Sequence, residues 1–446
     1  MSPGSSKKPP GPRMPRALQA VGWTQRSLPW LERCQRRYGD TFTLRIRHWG
    51  DWVVLVDPDD VKKVFTAGDA VGVAVANPML GPVLGPRSVM LLEEPEHMVH
   101  RKRMLPFFHG QAIANDAAMM AEVAEREVDG WPVEEPFALW PRMQEVTKEV
   151  VMRAVFGDDE GRLDEMRERL RRLTEWMNQP RNLTILALFG PDRLARTRGY
   201  REAMEPVEEA VLAEARRRRA DEPDPERADV VAMLAHAPYE DGSLPDEREL
   251  RDELLTMLTD GPTSTSLSWT LERLLRNPDK LERATEEALA GEDMTYIGAV
   301  IKETLRMRPP VQVVVRRLLE PMRLGGYDLP AGTVVAPCLN LIHRDSRYYE
   351  EPNRFMPERF IGKQPGTYNW IPFGGGVRRC LAASYAEMEM KQVLRTILRR
   401  VELRPASTRS ERMKKSAISF SPDQSGLVIA EPRETEPAGS PTLASV

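Results

Sequence analysis

Apolar residues recur at three- and four-residue intervals along most of the chain. This periodicity predicts helices over Ala117–Gly130, Leu163–Met177, Ala203–Ala220, Leu250–Arg276 and Glu387–Arg400. Tyr296 to Met307 is another apolar-periodic segment, ending at Pro309-Pro310. Strand signals are few and short: Trp52–Val56, Thr333–Ala336 and the Ile418/Leu427 region, where Ser421-Pro422-Asp423-Gln424-Ser425-Gly426 reads as a turn. The pattern predicts a mainly α fold, a single helical body with a small β-rich part. The length alone suggests two domains, yet no Pro/Gly/Ser-rich linker interrupts the middle, and Asp221–Asp229 is short enough for a surface loop. Residues 1–9 and 432–446 are polar and read as disordered tails around a folded body spanning 10–431.

Charge changes this picture little. Lys and Arg total 64 against 67 Asp and Glu, a balance that gives no reason to expect nucleic acid as a partner. Cys34, Cys338 and Cys380 show no CxxC or Cys/His metal spacing, and three thiols cannot all pair within the chain, which fits a reducing, cytoplasmic compartment. The N-terminus has no apolar run long enough for a signal sequence or membrane anchor. Cys338 lies in a strand-like run, Val334 to Leu339, and is expected to be a buried structural thiol.

The candidate chemistry sits in Phe373-Gly374-Gly375-Gly376-Val377-Arg378-Arg379-Cys380, directly before the helical stretch Ala382–Met388. A helix start carries partial positive charge and unpaired N–H groups, which stabilise a thiolate. Glycines allow close backbone approach to a flat partner, and Arg378 is a fixed cation able to pair with a carboxylate. A thiolate held this way is a standard axial ligand of haem iron. Taken alone, a free cysteine near a helix start is more often a small buried hydrophobe.

The neighbours decide otherwise. Phe373, Gly376, Arg378 and Cys380 match the haem-ligand signature of the cytochrome P450 family, which this stretch resembles; Ala382 stands where that family usually has glycine. Lys302-Glu303-Thr304-Leu305-Arg306 and Met356-Pro357-Glu358-Arg359-Phe360 resemble the family's structural ion-pair network, with Glu303, Arg306 and Arg359 as members. The likeness runs from about Pro10 to Glu431 and includes Tyr38–Leu44 as a first strand. It implies haem b, an iron protoporphyrin IX, buried between a long distal helix and the cysteine loop with its proximal helix. Cys380 would be the metal ligand. Phe373, Gly376 and Arg378 would help bind the cofactor, and His97 and Arg101, four apart on one helical face, would face its propionates. Arg316 is a further propionate candidate, and Arg317 beside it an equal one.

The resemblance further implies a monooxygenase of hydrophobic small molecules fed by NAD(P)H. No Gly-x-Gly-x-x-Gly follows a strand, so electrons would come through a separate ferredoxin- or flavodoxin-type carrier. Arg101, Lys102, Arg103, Arg378, Arg379 and Lys391 are candidates for its basic docking face, with a merely solvated face the alternative. Met79, Leu80, Leu84, Ile185, Leu186, Leu188, Val311 and Val313 would line an oily pocket, or are ordinary core.

The distal helix departs from the family. Leu254 to Trp269 aligns in two registers, neither of which keeps the family's acid–alcohol pair, and Pro262 interrupts the helix. Three readings stay open. Thr263, Ser264 or Thr265 carry protons through water with Asp260 as the acid; proton delivery is poor and the protein uses peroxide; or it binds haem with weak activation of O2.

Overall fold

The computed structural model describes residues 8–46, 50–73, 81–157, 160–177, 179, 181–182, 185, 189–221, 229–258, 262–291, 293–416 and 419–433. The helices that carry the site are, in chain order, α1 (Pro58–Phe65), α2 (Glu96–Met104), α3 (Gln111–Asp129), α4 (Leu139–Phe156), α5 (Glu160–Met177), α6 (Arg198–Ala220), α7 (Glu247–Leu258), α8 (Thr263–Leu275), α9 (Pro278–Ala290), α10 (Thr295–Met307) and α11 (Ala383–Arg400). Four periodicity-derived spans fall on α3, α5, α6 and α11 to within a residue at their C-terminal ends.

The packing follows from the apolar stripes. On α11, Met390, Val393, Leu394 and Ile397 are buried against Met120, Val123 and Ala124 of α3, and Leu267 and Leu271 of α8 join the same core. Each such side chain, fully buried, contributes about 1.5–3 kcal/mol. Helix α10 is apolar on nearly every side, and its only fully buried charges are Glu303 and Arg306, so it lies at the centre of the body.

The β part is a five-stranded sheet in the order Thr41–Ile46, Gly50–Leu55, Val334–Pro337, Arg316–Leu318, Val71–Gly72. Its one parallel pairing joins Gly50–Leu55 to Val334–Pro337. Cys338 is fully buried behind this sheet, as expected, and burial pushes its thiol up to about 12. A smaller sheet places Leu427–Pro432 between Phe137–Ala138 and Val401–Pro405, tying the end of α11 to the start of α4. Helix α1 begins on Asp57, whose side chain accepts from the N–H groups of Asp59 and Asp60, with Pro58 at the first helical position.

Two sequence expectations change. The span Leu250–Arg276 is two helices, α7 and α8, rather than one. Pro262 is the reason: it caps α8, where its missing N–H costs nothing, and its carbonyl accepts the Ser266 N–H at 3.0 Å. The tails are also shorter than expected where they are described. Pro9 is buried and accepts the Thr43 hydroxyl at 2.8 Å, while the Arg433 N–H donates to the Arg400 carbonyl at 2.9 Å. Residues 1–7, 222–228, Ile418 and 434–446 lie outside the described residues.

Candidate active site

The site is built outward from α10. Glu303 and Arg306 stand one turn apart and pair through two bonds, Nε to Oε2 at 2.7 Å and Nη2 to Oε1 at 2.9 Å, both side chains fully buried. Arg359 Nε approaches Glu303 at 3.2 Å, and the Met356 N–H donates to the same carboxylate at 2.8 Å. Arg306 gives its remaining N–H groups to the carbonyls of His343 and Pro352 at 2.7 and 2.8 Å. All three expected members of the ion network therefore meet, and the network is structural: it grips backbone.

That grip reaches the cysteine loop. Tyr349 OH donates to the Asn369 carbonyl at 3.0 Å, Trp370 Nε1 to the Lys302 carbonyl at 3.3 Å, and the Ile371 N–H to His343 Nε2 at 2.8 Å. Beyond Ile371 the loop holds itself, Gly374 N–H to the Ile371 carbonyl at 2.9 Å and Cys380 N–H to the Phe373 carbonyl at 2.8 Å. Gly376 has φ +68°, and a Cβ there would lie 2.0 Å from the Phe65 carbonyl oxygen. At Gly375 a Cβ would lie 2.4 Å from the Phe65 ring. A close neighbour that requires glycine at these two positions is thus Phe65 at the end of α1.

Cys380 keeps accessible surface although protein surrounds it on nearly every side, the position of a side chain lining an internal cleft. Burial pushes its thiol up, against the Ala382 N–H and the charges of Arg379 and Arg101, which favour the thiolate. Ala382 is the cap of α11 with φ −88°, a conformation open to any residue, so alanine is accommodated where the resemblance leads one to expect glycine. Phe373 stacks edge-on to Trp370 at 6.4 Å and carries the Arg379 guanidinium 5.9 Å above its ring.

Around the cysteine lies a buried cationic cluster. Arg378 donates to the Leu92 carbonyl at 2.8 Å and stands 3.4 Å from Glu93 and 3.7 Å from Glu94. His97, buried on α2, contacts Glu94 through Nδ1 at 2.7 Å, and burial followed by the Arg378 charge pushes its imidazole down. Burial and Arg378 likewise lower Arg316 to about 10, with Glu93 opposing. Arg101 forms no hydrogen bond or ion pair with a described residue, and burial lowers it while the cysteine opposes. Arg316, rather than Arg317, joins this cluster, because alternation along Arg316–Leu318 turns neighbouring side chains to opposite faces. Three guanidinium groups, Arg101, Arg316 and Arg378, thus share two carboxylates, and the arrangement suits a further anion.

The distal residues are a different kind of site. On α8 the hydroxyls of Ser266, Ser268 and Thr270 donate to the carbonyls of Pro262, Ser264 and Ser266 at 2.8–2.9 Å. Thr265 Oγ1 accepts the Trp140 indole N–H at 3.3 Å and lies 3.4 Å from Ser419 Oγ. It belongs to the packing of α8 on α4, and among the described residues Thr263 and Ser264 keep side-chain hydroxyls without a hydrogen bond. Asp260 lies outside the described residues.

A sequence-family comparison closes the question of kind: the description Cytochrome P450 matches residues 8–428. The chain belongs to the cytochrome P450 family. It is 42% identical over 435 residues to cytochrome P450 135B1 of Mycobacterium tuberculosis, covering 94% of this chain and 90% of the relative. Cytochrome P450 138 of the same organism is 34% identical over 443 residues, covering 97% and 98%. Among solved structures, the heme domain of cytochrome P450DA superposes with a TM-score of 0.82 at 21% identity, covering 96% of this chain and 98% of that one. The retinoic-acid-bound cyanobacterial CYP120A1 gives 0.82 at 20% identity, covering 96% and 100%. These superpositions show the P450 fold. Family membership makes the protein a monooxygenase with a haem cofactor, a small-molecule substrate and redox partners in general.

As a P450, the chain departs from its expected docking face at several positions. Arg103 is 7% exposed, bonds Glu249 and Tyr239 OH at 2.7 Å, and stacks 4.4 Å from the Tyr239 ring, so it is interior. The same arginine lies 2.7 Å from Glu249 and 3.7 Å from Glu253, which with His100 form a buried group whose polar atoms fall within 4.8 Å of one another. Arg378 is also interior, and Lys391 packs its stem near Gly298, which leaves Lys102 and Arg379 as the exposed cations of the expected set. Of the pocket candidates, Leu84 is fully buried and Val313 packs with the sheet core, while Met79, Leu80, Leu186 and Leu188 lie outside the described residues. No helix among the described residues is long and apolar enough to cross a membrane. His343 was not anticipated from sequence: a lone histidine 28 residues from its partner Ile371 carries no local pattern.

Proposed function

We propose that this P450 is a haem-thiolate monooxygenase of a hydrophobic small organic substrate, with Cys380 as the iron ligand. Electrons come from NAD(P)H through a ferredoxin- or flavodoxin-type carrier, in the cytoplasm. The observation that carries the reading is Cys380 held beside the Ala382 N–H under the charges of Arg379 and Arg101, with Arg101 in turn beside Arg378 and His97. Bound haem b supplies the redox centre at which O2 is reduced and one oxygen atom is inserted into a substrate C–H bond.

The chain's own residues account for the rest. Burial alone keeps the free thiol protonated, and a coordinating metal cation inverts that preference. Arg101, Arg316 and Arg378 exceed Glu93 and Glu94 by one positive charge, which fits one propionate, with His97 facing the other. Glu94 already takes the Nδ1 edge of His97, so a carboxylate at Nε2 is held best by the imidazolium, and the anion itself favours that form. Phe373 and Gly376 shape the loop, and exposed Lys102 and Arg379 offer the carrier a positive surface. Thr263 and Ser264, with Asp260 as acid, are the proton carriers on the distal side.

The test is stoichiometry. Reconstituted with a ferredoxin and its reductase, the protein should form one hydroxylated product per NAD(P)H consumed. Consumption without product contradicts the reading. The break at Pro262 favours one alternative, a peroxide-using haem-thiolate protein with weak activation of O2. In that case product appears with added hydrogen peroxide and no carrier, and replacing Thr263, Ser264 and Thr265 together leaves turnover unchanged.

A further inference from the structure

We propose that His343 is a positioning residue for the Cys380 loop, the acceptor through which the buried Glu303–Arg306 pair holds the segment that presents the thiolate. The inference rests on the reading of Cys380 as the haem ligand.

His343 follows the short helix Leu339–Ile342 and is fully buried. It works in both directions. Its backbone carbonyl accepts Arg306 Nη1 at 2.7 Å, and its ring Nε2 accepts the Ile371 N–H at 2.8 Å. One residue therefore connects the ion pair of α10 to the last externally anchored position before the loop. From there the connection is backbone only, Gly374 N–H to the Ile371 carbonyl and Cys380 N–H to the Phe373 carbonyl.

The donor at Ile371 fixes the tautomer. Nε2 must carry the lone pair, so the ring hydrogen is on Nδ1. Nδ1 is buried with no hydrogen bond of good geometry. The backbone carbonyls of Arg306 and Leu305 are the groups nearest Nδ1, at poor geometry, and leucine would occupy the space with no ring nitrogen to satisfy. What leucine lacks is the acceptor. Without it the Ile371 N–H would be buried and unpaired, and the loop would gain by shifting to satisfy it. Upstream, Asn369 and Trp370 are tied by the Tyr349 hydroxyl and the Lys302 carbonyl, so a shift released at Ile371 is directed toward Phe373 and Cys380.

The experiment compares the haem-loaded full chain as wild type, His343→Leu and His343→Gln, each reduced and exposed to carbon monoxide, with the long-wavelength Soret band reporting the thiolate. Glutamine offers an oxygen near the Nε2 position. His343→Leu should bind haem yet shift the balance from intact to displaced thiolate by about tenfold or more, the factor lost with a buried N–H acceptor, seen as growth of the shorter-wavelength band. His343→Gln should restore the wild-type spectrum. If the wild type shows the thiolate band and His343→Leu matches it, the inference is overturned while the ligand assignment stands. If the wild type lacks the band, the ligand assignment itself fails and the inference with it. Should the leucine variant give no holoprotein, glutamine decides: a retained band supports the role, and its loss in that variant also refutes it.

Discussion

The cysteine side and the distal helix are built on opposite terms. Behind the cysteine loop a chain of buried groups holds backbone: Arg306 on His343 and Pro352, His343 on Ile371, Phe373 on Cys380. Glycine is obligatory at Gly376 because Phe65 leaves no room for a Cβ. On the distal side, three of the six hydroxyls of α8 are turned back on carbonyls one turn earlier, and the helix starts after its cap Pro262. The first region is over-determined and tolerates little change. The second is held by the burial of Leu267, Trp269, Leu271 and Leu274, so its position does not depend on its hydroxyls.

That contrast orders the expected effects of mutation. The largest falls on Glu303→Gln, which leaves Arg306 buried with its partner charge removed; breaking such a pair costs about 3–5 kcal/mol, and denaturant titration of the haem-loaded protein should show it. Gly376→Ala comes next. Forcing a side chain into φ +68° against the Phe65 carbonyl costs about 1–3 kcal/mol, and haem retention should fall; Ala382→Gly, at an ordinary backbone conformation, should retain haem. If Gly376→Ala and Ala382→Gly behave alike, the loop is not the constrained region described.

The pH dependence is smaller and has a definite sign. Burial, then the charge of Arg306, pushes His343 down to about 3, with Arg344 acting the same way. An unfolded histidine titrates near 6.5, so between about 6.5 and 3 only the unfolded chain takes up this proton. Its contribution is intact above about pH 6.5 and falls by up to about 1.4 kcal/mol per pH unit below it. Melting curves of His343→Gln should lack this component; parallel curves for both proteins would contradict it. Smallest is Thr265→Val, which loses the Trp140 bond at about 1 kcal/mol and should leave product per NAD(P)H unchanged. The Thr263→Ala/Ser264→Ala pair should lower product per NAD(P)H by about tenfold or more if these hydroxyls carry protons. Equal yields would show that these hydroxyls do not carry the protons.

What was legible in the sequence follows the same division. Glu303, Arg306 and Arg359 were expected as a set from the resemblance of their two motifs to the family's ion-pair network; helix spacing alone pairs only the first two. Cys338 was expected to be buried because its strand is apolar throughout, and it is. Periodicity located the helices, and the interruption expected at Pro262 divides Leu250–Arg276 into two of them. Arg103 was misplaced on the surface because its partners Tyr239 and Glu249 lie more than a hundred residues away. Arg316 and Arg317 were indistinguishable until pairing with Val334 and Val335 fixed which one faces Arg378. Contacts set by one turn of helix can be read from a chain; contacts set by tertiary register cannot.

The central claim is that Cys380, alone among three cysteines, is the iron ligand, and its most direct measurement is the reduced, carbon monoxide difference spectrum of three single variants. Cys380→Ser should lose the long-wavelength Soret band, while Cys34→Ser and Cys338→Ser, both at buried thiols, should keep it. A band retained in Cys380→Ser, or lost equally in all three, would contradict the account.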